Sequence, residues 1–137
     1  AHFMVETDSL ALAGAESRAR VVAMAAELPQ VVPRADCVYT LFPAMVWVQS
    51  GQRTRVKYIP PEVADGREPL ERLAGCRYLM PVNVRSLQLG VAPLFPLEPL
   101  RNRTRPVLYS EFEHEGERVI AAVLLEWTDG RDVPAGR

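Results

Sequence analysis

Three short strand-like runs, at residues 37–41, 54–59 and 77–82, are separated by segments with helical marks, and no other feature narrows the fold of this chain as far. The first run, Cys-Val-Tyr-Thr-Leu, is apolar without alternation, the pattern of a strand buried on both faces. Pro43 then suits the first position of a helix, residues 44–48 continue it, and Gly51 supplies a left-handed stop. The second run alternates, with Arg53, Arg55 and Lys57 on one face and Thr54, Val56 and Tyr58 on the other. Three unpaired cations would be very costly to bury, so their face belongs at a sheet edge or in solvent. Pro60 and Pro61 break this strand. Residues 67–74 read as a second amphipathic helix, with Leu70 and Leu73 inward and Gly75 closing it. Strand–helix–strand–helix–strand with short connections predicts parallel strands and right-handed crossovers.

A helix over residues 16–28 precedes this unit. Val21, Met24, Ala25 and Leu28 fall at helical spacing, and Pro29 and then Pro33 are its expected stops. Residues 10–14 either extend it backwards or form a separate turn. After the unit comes a proline-interrupted loop over residues 86–101. Two strand patterns follow, 106–112 and 118–127, joined by Glu-His-Glu-Gly-Glu with Gly116 at the turn, which predicts a β-hairpin. The expected fold is therefore α/β: a small two- or three-layer Rossmann-like parallel sheet (β-α-β-α-β) with a C-terminal antiparallel hairpin. A single domain would span residues 5–127. Residues 1–4 read as a cloning remnant and 128–137 as a polar tail.

The 137 residues suffice for one hydrophobic core, and a net charge of −1 gives no sign of a nucleic-acid binder held by phosphate neutralisation. Of the 16 basic residues only Lys57 is a lysine, a bias that a GC-rich genome explains without reference to function. No apolar run reaches the ~20 residues that a membrane-spanning helix needs.

Catalytic candidates are few. Apart from His2, His114 is the only histidine, which leaves no multi-histidine metal site and gives no cofactor signature. Glu111, Glu113, His114, Glu115 and Glu117 crowd the hairpin turn, where they read as a solvated tip; a small hydrolase using Glu113 and His114 is the enzymatic alternative. Ser50, Ser86 and Ser110 lack a nucleophile-elbow context. No glycine-rich phosphate loop is present, so the helix start at Pro43 is scaffold. Cys37 and Cys76 fit neither a zinc site nor a CxxC motif. They read as two buried small residues, or as a disulfide if their strands are neighbours in an oxidising compartment. Two basic patches remain: Arg53, Arg55 and Lys57, and a second of Arg101, Arg103 and Arg105 beside Arg85. Arginine forks suit phosphate and carboxylate, so lipid headgroups or a sugar phosphate are candidate ligands, with surface ion pairing to Glu62, Asp65 or Glu98 as the alternative. Asn102-Arg103-Thr104 also matches a glycosylation acceptor.

The stretches AAELPQVVPRADCVYTLFP, VWVQSGQRTRV and LAGCRYLMPVN carry a resemblance. The strand at 37–40, the turn at 50–53 and the strand at 74–79 are similar to the C-terminal tails of bacterial polytopic GT-C glycosyltransferases, the relatives of protein mannosyltransferases and of aminoarabinose transferases to lipid A. The likeness spans about residues 16–82. It implies an extracytoplasmic, periplasm-facing domain of a membrane glycosyltransferase whose sugar donor is polyprenyl-phosphate-linked. In that family the catalytic carboxylate and any metal belong to the membrane part, so no catalytic residue is carried onto this chain. The implied role is non-catalytic, bracing the membrane part of the polypeptide or positioning carrier or acceptor. The implied setting favours a Cys37–Cys76 disulfide. A stand-alone α/β ligand-binding or protein-interaction domain is the alternative.

Overall fold

The computed structural model describes residues 2–81, 100 and 102–128, with side chains from residue 14 onward. Its elements are α1 (His2–Val31), β1 (Cys37–Thr40), α2 (Pro43–Gln49), β2 (Arg55–Tyr58), α3 (Pro61–Ala64), a 3₁₀ turn (Leu70–Leu73), β3 (Tyr78–Met80), β4 (Thr104–His114) and β5 (Glu117–Trp127). The five strands form one mixed sheet in the order β2-β1-β3-β5-β4. β1 runs parallel to both β2 and β3, whereas β5 is antiparallel to β3 and to β4.

Burial explains the composition of each strand. β3 is buried throughout and β1 nearly so, which is why neither alternates. β2 ends the described sheet and carries exposed side chains, as its cations require. Two apolar clusters divide the sheet residues by parity, so helical segments cover both faces. On one face Val38, Val56, Tyr78, Met80, Ala122 and Leu124 pack with Val21, Met24, Ala25 and Leu28 of α1 and Val46 of α2. On the other, Leu79, Val123, Leu125 and Trp127 pack with Val63 of α3, Leu73 of the 3₁₀ turn and Leu100. Arg20 pins α1 to β4, donating to the Glu111 carbonyl at 3.0 Å and to Ser110 Oγ at 3.2 Å, with its guanidinium 5.2 Å from the Phe112 ring centre.

Several boundaries differ from the sequence expectation. α1 is one continuous helix that passes through Gly14 and runs beyond Pro29 to Val31. Proline in a last turn removes only one hydrogen bond, and the Val32 N–H still donates to Leu28 O at 2.8 Å. Pro33 is the effective stop, since the residue before a proline is driven out of the helical region. No α-helix forms over 67–74. Pro69 disfavours helical geometry at Glu68, leaving the single 3₁₀ turn, and a short helix begins instead at Pro61. Leu73 is nonetheless buried and Leu70 packs beside it, so the inward face was read correctly although the helix was not. β2 and β3 are shorter than expected, and both hairpin strands are longer. The hairpin closes through Glu115 (φ 53°) and Gly116 (φ 81°), a two-residue turn with both residues left-handed. The expected loop at 86–101 lies outside the described residues except for Leu100, and the tail lies outside them beyond Thr128.

Candidate functional site: two basic faces

The sheet treats the two basic triplets in opposite ways. In the first, Arg53 lies in the turn after α2, while Arg55 and Lys57 stand on the β2 face opposite Val56 and Tyr58. All three are exposed, and none forms an ion pair with a described residue. Lys57 has an aromatic neighbour, its Nζ lying 6.0 Å from the centre of the Tyr39 ring. Gly75 borders this pair: a Cβ there would sit 3.4 Å from Tyr39 Oη and 3.9 Å from Lys57 Nζ, in ordinary contact. The turn feeding the strand needs two left-handed residues, Gly51 (φ 71°) and Gln52 (φ 61°). It is tied by Ser50, whose Oγ donates to Trp47 O at 2.9 Å and accepts from the Thr54 N–H at 3.4 Å.

The second triplet is not a free patch. Arg101 lies outside the described residues, as does Arg85. Arg103 pairs with Glu71 at 2.9 Å, and its guanidinium carbon stands 5.2 Å from the Trp127 ring centre. Arg105 donates to Glu126 from Nη2 at 2.7 Å and from Nε at 2.9 Å. Glu126 also accepts from Arg77 Nε, so one carboxylate on β5, only 5% exposed, ties together a guanidinium of β4 and one from the residue just before β3. Burial pushes the Glu126 carboxyl up, but the Arg105 and Arg77 hydrogen bonds outweigh it, and its pKa lies below the usual carboxylate value. The hydrogen bond to Glu126 raises Arg77 in turn. Burial raises the Tyr78 phenol beside them.

This clamp was missed in the sequence, although a signal existed. Glu126 interrupts the apolar run 119–127, and a carboxylate at an inward position of a buried strand demands a cationic partner. Arg105 is that partner directly across the ladder, where it faces Glu126 in register.

Glu113 and His114 are neighbours on β4, so their side chains leave opposite faces of the strand. His114 Nε2 lies 3.2 Å from Glu115, while Glu111 accepts from the Tyr109 hydroxyl at 2.8 Å and faces Arg118 at 3.5 Å. The acidic turn is thus an ion-paired hairpin tip in which the two candidate groups do not converge. Among the described residues no group of three or more His, Cys, Asp or Glu side chains could hold a metal ion.

Cys37 and Cys76, left open between two readings in the sequence, are joined by a disulfide with their Cα atoms 4.9 Å apart. The parallel pairing of β1 and β3 brings the starts of these strands side by side, and this makes the bond sterically available. Among the described residues no helix is long and apolar enough to cross a membrane. No family model, curated protein or solved structure matches the chain.

Proposed function

We propose that the chain is a non-catalytic, extracytoplasmic domain of a bacterial membrane glycosyltransferase that draws its sugar from a polyprenyl-phosphate carrier. The observation that carries this reading is the disulfide between Cys37 and Cys76, because such bonds persist in oxidising compartments and are rare in the reducing cytosol. The cations of β2 supply the contact. Arg53, Arg55 and Lys57 offer donors to an anionic carrier or acceptor without first breaking an internal ion pair. Arg103 and Arg105 are committed to Glu71 and Glu126, and their role in this reading is to hold the hairpin.

The fold reading that accompanies it is a doubly wound, Rossmann-like half. The strand order β2-β1-β3, with α2 and α3 on opposite faces, is what a right-handed crossover from β1 to β2 followed by a right-handed return from β2 past β1 to β3 produces, and this supports that assignment.

The test is made on the full gene product with a C-terminal tag. Expected is a membrane-bound protein whose tag is cleaved by protease added from the extracytoplasmic side. A soluble product of about this size would overturn the reading in favour of a stand-alone binding domain. If the product is membrane-bound, Arg53→Glu, Arg55→Glu and Lys57→Glu together should abolish sugar transfer without altering the thermal midpoint; unchanged transfer would remove these residues from the positioning role.

A further inference from the structure

The segment from Trp47 to Tyr58 exposes several large apolar side chains. Its small polar side chains, Ser50 and Thr54, are buried, while Trp47 (39% exposed), Val48 (58%) and Tyr58 (53%) point to solvent. Of the six exposed large hydrophobic residues among the described ones, these three lie in this segment and two more, Phe42 and Val22, lie on the α1–α2 side. Phe42, Val22 and Met45, with Arg18, line an apolar depression of about 200 Å³ between α1 and α2. Tyr58 shares its strand face with Val56, which packs against the same α1–α2 cluster. The opposite flank of the edge strand carries Arg55 and Lys57, and Arg53 sits in the turn between them and Trp47. Trp47 and Val48 are adjacent on α2 and Tyr58 lies on the strand that follows it, so exposed apolar groups are concentrated at this edge of the sheet, as at a contact surface.

We propose that this edge of the sheet is a peripheral membrane-docking surface that seats on an anionic bilayer. Tryptophan and tyrosine have an apolar body and a polar tip, and they favour the headgroup boundary. Arg55 and Lys57, on the other flank of the same edge strand, and Arg53 in the turn complement anionic lipid phosphates when the strand meets the bilayer edge-on. An added peptide strand fits this edge less well. β2 has only four residues, is stopped by Pro60, and bears cations in the pattern that discourages edge pairing. The inference deepens the extracytoplasmic reading by naming what the basic edge touches. It is tested on the isolated chain, so its failure would leave the protease-accessibility result standing, and the converse holds.

The experiment is flotation of the 137-residue chain with vesicles of phosphatidylcholine alone or with one third phosphatidylglycerol. Binding is expected only with the anionic vesicles and should weaken as salt rises. Each cation near such a surface contributes about a fivefold factor in partition, so Arg53→Glu/Arg55→Glu/Lys57→Glu should lower it by about a hundredfold or more. Trp127 is buried, so brominated lipid should quench Trp47 emission alone, and Trp47→Phe should abolish the quenching while binding persists. The thermal midpoint of each variant checks its fold. Equal binding to neutral vesicles, anionic binding untouched by the charge reversal, or no flotation at low salt would each overturn the proposal. Capture of an acidic peptide without flotation would overturn it as well and assign the edge to a protein partner.

Discussion

The edge at β2 and the clamp at Glu126 are built from the same residue types to opposite ends. At β2 three cations stand in solvent with no described carboxylate near enough to pair. At the other side of the sheet Arg77 and Arg105 converge on one buried carboxylate, and Arg103 lies against Trp127 and Glu71. Basic residues that recur every second position therefore do not by themselves make a binding face. What decides is whether the neighbouring strand offers a carboxylate. β1, opposite β2, presents Cys37, Val38, Tyr39 and Thr40, whereas β5, opposite β4, presents Glu126. The first arrangement leaves charge available to a partner, and the second turns it into architecture.

The comparison breaks most decisively at the clamp. Removing both guanidinium groups with Arg77→Ala/Arg105→Ala strands a buried carboxylate and should cost about 3–5 kcal/mol in a denaturant titration. A loss near zero would mean that the two sides differ only in appearance. The disulfide comes next. Its partners are 39 residues apart, for which chain entropy gives about 4 kcal/mol, so Cys37→Ser/Cys76→Ser should lower the midpoint substantially and the wild type should respond to reductant. Arg103→Ala gives up a partly exposed ion pair and a ring contact and should cost about 1 kcal/mol. At the far end, converting Arg53, Arg55 and Lys57 to alanine should move stability by about 0.5 kcal/mol or less per site, and any larger loss would show these cations to be structural after all.

Acid separates the two regions in a second way. The Glu126 pKa is depressed in the fold, so its contribution is complete above the unfolded carboxylate value of about 4.3 and is lost as pH falls through the lower folded value. Thermal midpoints of Glu126→Gln should be less sensitive to pH below about 4 than those of the wild type. The β2 alanine variant should keep the wild-type profile on that limb.

Much of the fold was legible because it rests on local rules. The unbroken apolar run at Cys37, the proline at 43, and the turn at Gly116 each name their own structure. The alternation of Arg53, Arg55 and Lys57 also placed their face at a sheet edge or in solvent, on the argument that cations resist burial. What escaped depends on partners distant in the chain. The single 3₁₀ turn at Leu70–Leu73 reflects Pro69, which a count of inward leucines does not weigh. The fate of Arg105 hinges on its register with Glu126, 21 residues away. The outward turn of Trp47 and Val48 is similarly invisible to composition, because it follows from Ser50 and Thr54 filling the inward positions of the turn.

The bond between Cys37 and Cys76 also has a topological result. It closes the chain into a covalent ring that contains α2, β2, α3 and the 3₁₀ turn, and hence Arg53, Arg55, Lys57 and the outward tryptophan. A protease that cuts once inside this ring leaves its two pieces joined, so the basic edge cannot be shed from the rest of the protein by a single nick. Only cleavage together with reduction releases it, and the fragment pattern of a non-reducing gel set beside a reducing one reads that ring directly.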